Sequence, residues 1–209
     1  RKLLSPLSPL YGLVVWLRNK AYDTGLLASE SFSTPLLCVG NLSVGGTGKT
    51  PMVEWLVRYF SPDRRVAVLS RGYGRKSKGF RWVTKDSAVS ETGDEPLQMA
   101  RCFPGVPFAV DADRRHGVQK VVSERNPELI ILDDAFQHRR VQPQISILLT
   151  AWDALYSEQC YLPAGDLRDH KSQAARADLV VVTKCPAVPL QAQRSEIRSR
   201  LGLPAGQPL

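Results

Sequence analysis

The octapeptide Ser43-Val-Gly-Gly-Thr-Gly-Lys-Thr50 carries the most definite chemistry in the sequence. Glycines at 45, 46 and 48, with Thr47 among them, let a backbone curl until successive N–H groups converge on one anion. Lys49 adds an ammonium for the β/γ phosphates, and the Thr50 hydroxyl can ligate Mg²⁺. The spacing is that of a P-loop except at Ser43, which stands where the pattern has its first glycine. Its ligand is a nucleoside triphosphate, read here as ATP with Mg²⁺. A second landmark is Leu129-Ile-Ile-Leu-Asp-Asp134, an apolar run tipped by two carboxylates, with Asp133 84 positions after Lys49. Taken alone it is an acidic turn. Beside a P-loop it suits the magnesium side of the same site.

Such a loop works only between a buried strand and a helix, and the flanking residues supply both. Pro35 to Val39 reads as a short strand, and Val53, Leu56, Val57 and Phe60 form one face of the following helix. Val66 to Leu69, Pro107 to Val110, Leu129 to Leu132, Ile145 to Leu149 and Leu179 to Thr183 read as further strands, with a helix over Asp113 to Glu124. Short, almost continuously apolar strands alternating with helices imply a mostly parallel sheet covered on both faces. The expected fold is therefore α/β, a three-layer P-loop NTPase fold preceded by an N-terminal amphipathic helix. The expected division is an N-terminal unit at 1–33, a core at 34–186, and a polar, proline-rich linker or start of a further lobe at 187–209.

In the N-terminal unit, Ser5-Pro6 and Ser8-Pro9 are helix-start signals. Leu10, Leu13, Val14, Leu17 and Ala21 then recur at helical spacing. Tyr11, Val15 and Trp16 widen the apolar side, and Arg18 and Lys20 add cations at one end. Periodicity alone leaves two readings open: a helix packed on its own domain, or one lying at a membrane interface.

The formal net charge of +8 suggests an anionic partner without naming it. Much of it sits between Arg64 and Lys85, which holds eight Lys or Arg and no Asp or Glu. No nucleic-acid-binding module accompanies this segment, so no nucleic-acid partner is expected. The four cysteines are widely spaced with no CxxC pair, which argues against a disulfide framework or zinc site. The apolar run from Leu10 to Leu17 is far short of the ~20 residues that span a bilayer.

Five motifs occur in order: Gly40-Asn-Leu-Ser-Val-Gly-Gly-Thr-Gly-Lys-Thr-Pro51, Ser70-Arg-Gly-Tyr-Gly-Arg75, Gly93-Asp-Glu-Pro96, Asp133-Asp-Ala-Phe-Gln-His138, and Leu162-Pro-Ala-Gly165 through Leu167-Arg168. Together they resemble the lipid A 4′-kinase (tetraacyldisaccharide 4′-kinase) family, peripheral enzymes on the cytoplasmic face of the inner membrane of Gram-negative bacteria. The resemblance implies transfer of the γ-phosphoryl of ATP to a sugar hydroxyl of an acylated disaccharide phosphate. It makes Asp94 the general base, where the residues alone suggest a helix cap. Asp133 and Asp134 would hold or orient Mg²⁺, with Asp169 in the place of a family glutamate. For His138 two readings stand open: stabilising charge near the site, or a satisfied structural histidine. Arg71, Tyr73 and Arg75 would form a mobile basic loop for substrate phosphate or headgroups, and Arg168 belongs to the same substrate set. The resemblance also favours the interfacial reading of residues 10–22. Ala135 replaces the family's usual glycine. Members of the family run further, with a C-terminal lobe carrying a histidine that pairs with the catalytic aspartate, so the chain is expected to hold an incomplete site.

Two other functions fit parts of the pattern. Membrane-associated switch ATPases share Gly-Gly-Thr-Gly-Lys-Thr but usually carry lysine where this chain has Val44. Guanine-nucleotide metallochaperones share a motif like Thr183-Lys184, yet Cys185-Pro186 lacks the acidic residue that reads guanine.

Overall fold

The computed structural model describes residues 6–204 and 206–209. Ser5, half of one expected helix-start signal, lies outside them. Elements follow in the order α1 (Ser8–Asp23), β1 (Leu36–Asn41), α2 (Lys49–Phe60), β2 (Val66–Ser70), β3 (Arg81–Val83), α3 (Val89–Thr92), α4 (Asp94–Cys102), β4 (Phe108–Val110), α5 (Arg114–Arg125), β5 (Leu129–Asp133), β6 (Ile145–Ala151), β7 (Leu179–Thr183) and α6 (Gln191–Leu201). The chain forms two compact units that interleave along the sequence. One comprises Arg1–Ala28, Gly40–Gly48 and Ser146–Leu209; the other comprises Ser29–Val39 and Lys49–Ile145.

In the second unit the strands lie in the order β3-β4-β2-β5-β1. β4 with β2, β2 with β5 and β5 with β1 run parallel, while the short β3 pairs antiparallel with β4. Every residue of β2 and β5 is buried. Because alternate side chains point to opposite faces, both faces of these strands must be covered. Helices α2 and α4 touch each other, α2 lying against β5 and α4 against β3 and β4, while α5 packs on β2 and β4. The predicted face of α2 is buried at Val53, Leu56 and Val57, and Asp113 caps α5 by accepting from Arg115 and His116 N–H.

The first unit pairs β6 parallel with β7. The polar stretch expected as a linker or the start of a further lobe contains α6, which buries Ile197 and Leu201. Beyond it, Gln207 Nε2 donates to the carbonyls of Ala174 (3.0 Å) and Ala177 (2.7 Å). Tyr156 donates its buried phenol to Leu201 O at 3.0 Å.

Helix α1 buries Ser8, Gly12, Val15 and Asn19. These i, i+4, i+7, i+11 positions make one face of small and polar residues. Ser8 Oγ donates to Tyr161 O at 3.0 Å and Tyr11 donates its hydroxyl to Arg168 O at 3.0 Å. A Cβ at Gly12 would already stand 3.3 Å from the Tyr161 ring. The apolar stripe Leu10, Leu13, Val14 and Leu17 is therefore exposed, along with Trp16. Among the described residues no helix is long and apolar enough to cross a membrane.

Candidate functional site

The glycine loop begins in the first unit, where β1 ends at Asn41. Gly45 and Gly48 take φ of 112° and 81°, the left-handed side that β-carbons disfavour. Polar side chains brace the loop from behind. Buried Asn41 donates Nδ2 to Thr47 Oγ1 at 2.8 Å and accepts from Arg168 Nη2 at 2.5 Å. Ser43 bridges Leu167, Val44 N donates to Asp166 O at 2.7 Å, and Arg168 N to Leu42 O at 2.8 Å. Arg168, predicted as a substrate contact, thus spends part of its guanidinium on the loop's scaffold.

Its neighbour Asp169 is 1% exposed. Oδ1 accepts from Asn19 Nδ2 at 2.7 Å and from His170 N at 2.8 Å, while the equally buried Oδ2 has no protein partner. A buried carboxylate oxygen left unpaired is costly without a cation or an ordered donor.

The motif's last two residues, Lys49 and Thr50, open α2 in the second unit. Lys49 Nζ lies 3.8 Å from Asp134 Oδ1. That exceeds the ~2.8 Å of a tight charge-assisted bond. Asp134 follows β5 in the left-handed conformation, φ 49°. Among the described non-glycine residues only Asn126, Asp134 and Lys184 have positive φ, so Ala135 sits in a backbone conformation that does not call for glycine. His138 lies one turn on, half-buried, its N–H bonded to Ala135 O at 2.8 Å.

Asp133 is fully enclosed. Ser70 Oγ donates to its Oδ2 at 2.8 Å, while Oδ1 is buried without a partner. Desolvation pushes its carboxyl above the ordinary range and Asp134 adds to this; Ser70, Arg114 and Lys49 oppose it. Arg114, itself 2% exposed, donates Nη2 to Asp133 O at 3.2 Å and Nη1 to Asp111 O. Burial pulls its guanidinium down to about 10, so it stays cationic at neutral pH. Among the described residues no group of three or more His, Cys, Asp or Glu could hold a metal. Mg²⁺ is usually held by one or two carboxylates plus water and phosphate oxygens, and the orphan Oδ1 of Asp133 fits such a donor set.

Asp94 is the first residue of α4 and exposed. Its Oδ1 accepts from Glu95 N–H at 2.9 Å. The N-cap is Gly93, without a side-chain cap, so Asp94 does not fill the capping position that residue types suggested. Gly93 takes φ 87°, ψ 161°, a region open essentially to glycine alone. A Cβ there would meet Tyr73 O at 2.9 Å, and a Cβ on Gly72 would meet Thr92 O at 2.9 Å. This close approach sets Asp94 beside the basic loop after β2. In that loop Arg71 and Tyr73 are exposed, whereas Arg75 turns inward, Nη2 donating to Gly79 O at 2.7 Å and Nη1 to Ser77 Oγ at 3.3 Å. Lys76 N donates to Ser90 O at 2.7 Å, tying the loop to α3.

Glu95 escaped the sequence reading. Its carboxyl is raised first by desolvation and next by Asp133, against the pull of Lys49, with Asp94 and Asp134 also raising it. The acidic residues of α4 and β5 and the loop lysine therefore share one electrostatic neighbourhood. Arg114, Ser70, Asn41 and Asn19 were likewise missed as supports. Ser70 and Asn41 at least lay inside quoted motifs; Arg114 and Asn19 had no local signal.

A glycine loop between a buried parallel strand and a helix, with an acid-tipped strand holding an unsatisfied carboxylate, defines a P-loop nucleotide-binding α/β protein. The family described as Tetraacyldisaccharide-1-P 4′-kinase matches residues 1–205. The chain is 49% identical over 208 residues to the tetraacyldisaccharide 4′-kinase of Flavobacterium johnsoniae, covering 99% of this chain and 61% of that one. It is 50% identical over 187 residues to that of Bacteroides thetaiotaomicron, covering 88% and 49%. The crystal structure of "apo" form LpxK from Aquifex aeolicus in complex with ATP superposes with a TM-score of 0.86 at 37% identity, over 99% of this chain and 62% of that one. The chain belongs to the tetraacyldisaccharide-1-P 4′-kinase family. It spans about half to three fifths of the length of these relatives.

Proposed function

We propose that the full-length protein transfers the γ-phosphoryl of ATP to the 4′-hydroxyl of an acylated glucosamine disaccharide 1-phosphate. The observation that carries this reading is the second unit's cluster of Lys49, Asp133, Asp134, Glu95 and Asp94. It couples the phosphate-side cation to acids on two different elements. Phosphoryl transfer needs this set: a cation for the transferring group, carboxylates for a metal, and a further carboxylate for the acceptor's proton.

In this mechanism Gly45 to Gly48 direct backbone N–H groups at the phosphates, and Lys49 neutralises their charge. Thr50, Asp133 and Asp134 would hold Mg²⁺, which when bound spreads charge over the β/γ oxygens. Asp169, in the first unit, keeps an orphan oxygen that suits a cation or an ordered donor. Asp94 takes the proton from the sugar hydroxyl as its oxygen bonds to the γ-phosphorus and the bridge to the β-phosphate breaks, releasing ADP. His138, four residues after Asp134, stabilises developing charge at the site. Arg71 and Tyr73, exposed after β2, face the acceptor's anionic group. Arg75 holds their loop in shape.

The acceptor carries acyl chains, so the enzyme must work at a bilayer surface. We assign that contact to the exposed stripe of α1, at the cytoplasmic face of the inner membrane, with the protein peripheral. The test is full-length enzyme with ATP and the tetraacyl disaccharide 1-phosphate in detergent micelles. A labelled lipid phosphate is expected. Intact ATP binding with no lipid product would overturn the kinase reading. Asp94→Ala should cut turnover about 10²–10⁴-fold while leaving ATP affinity within about twofold. Equal losses in both would return Asp94 to a structural role.

A further inference from the structure

We propose that Lys184 is a second cationic nucleotide contact, reaching the glycine loop at Gly46 from the end of β7. The inference rests on the ATP-binding reading above. It starts with Thr183, the last residue of β7. Thr183 Oγ1 donates to Thr47 O at 2.9 Å, with Thr150 O a longer acceptor at 3.3 Å. A Cβ on Gly48 would stand 3.6 Å from the Thr183 side chain, ordinary van der Waals contact. The end of β7 therefore packs directly on the phosphate loop.

The next residue turns sharply. Lys184 adopts φ 56°, a left-handed conformation that lysine rarely takes outside sites where surrounding contacts impose it. In that conformation its Nζ lies 3.9 Å from where a Cβ on Gly46 would be. Among the described residues Lys184 has no hydrogen-bond or ion-pair partner, so its charge is not committed to a carboxylate. A lysine needed only for solubility requires neither the strained turn nor the approach to a glycine. An ammonium beside backbone N–H groups that converge on polyphosphate adds to the same attraction. Two positions on, where a carboxylate would read guanine, stands Pro186. Lys184 therefore acts on the part of the ligand common to all nucleotides, and its effect is the same for ATP and GTP.

The experiment measures binding of ATP, ADP and GTP to the full-length protein and to Lys184→Met, Lys184→Arg and Lys184→Gly at two salt concentrations. Lys184→Met is expected to weaken all three ligands about five- to tenfold, the effect of one exposed charge contact, with a shallower salt dependence. Lys184→Arg should recover affinity to within about twofold. Lys184→Gly relaxes the left-handed backbone and removes the ammonium, and should lose as much as Lys184→Met. Methionine binding like the parent would overturn the proposal, as would glycine retaining affinity or arginine failing to rescue. A parent protein that binds no nucleotide would instead refute the reading on which the proposal rests.

Discussion

Replacing Leu10, Leu13 and Leu17 together by Ser tests what α1 is for. These side chains are 59%, 51% and 54% exposed, so on the proposed reading a membrane would bury about half of each. Full burial of a leucine is worth ~1.5–3 kcal/mol, so half-burial contributes roughly 0.8–1.5 kcal/mol each. Three such losses sum to about 2.5–4.5 kcal/mol, or roughly 10²–10³-fold in a partition coefficient. Sedimentation of the full-length protein with anionic phospholipid vesicles reads this directly. Thermal stability supplies the second measurement. The helix docks through Ser8, Gly12, Val15 and Asn19, so the triple variant should melt within about 2 °C of the parent. By contrast, Gly12→Leu drives a side chain into the Tyr161 ring and should lower the melting temperature without touching the exposed stripe. Unchanged vesicle binding in the triple variant would refute the reasoning. So would a melting temperature that falls several degrees, which would make the stripe a core face.

Gly93→Ala places a methyl 2.9 Å from Tyr73 O in a backbone region that alanine avoids. We expect a loss of about 2–4 kcal/mol in chemical denaturation and a fall in kcat from displacement of Asp94; wild-type stability would show that the two turns separate easily. Burial pushes the Tyr156 phenol up from 10.0 to about 12. The folded state therefore keeps a proton that the unfolded chain has released, so stability is intact below pH ~10 and falls by about 1.4 kcal/mol per pH unit up to ~12. Tyr156→Phe should lose about 1 kcal/mol at neutral pH with its bond to Leu201 O, and flatten that alkaline slope in pH-dependent unfolding. An unaltered slope would assign the alkaline loss elsewhere.

What the sequence determined by itself was local. Short apolar runs identified every parallel strand to within a residue or two, because a strand buried on both faces has few polar positions. The P-loop and the acid-tipped β5 were equally legible, since eight contiguous residues and one strand end carry that chemistry. The antiparallel β3 escaped because three residues, of which only Val83 is buried, make no readable pattern. Helix α6 escaped because its buried face amounts to Ile197 and Leu201 in a polar stretch. For α1 the periodicity was visible but not its meaning, since a stripe marks a face without saying what covers it. Only tertiary contacts decided that Ser8, Gly12, Val15 and Asn19 face inward and the leucines outward. The same holds for Asn19 on Asp169, 150 residues away, for Gly72 against Gly93, and for Lys184 over Gly46. Each joins groups distant in the chain whose meeting depends on how the intervening elements pack, and no local propensity encodes that.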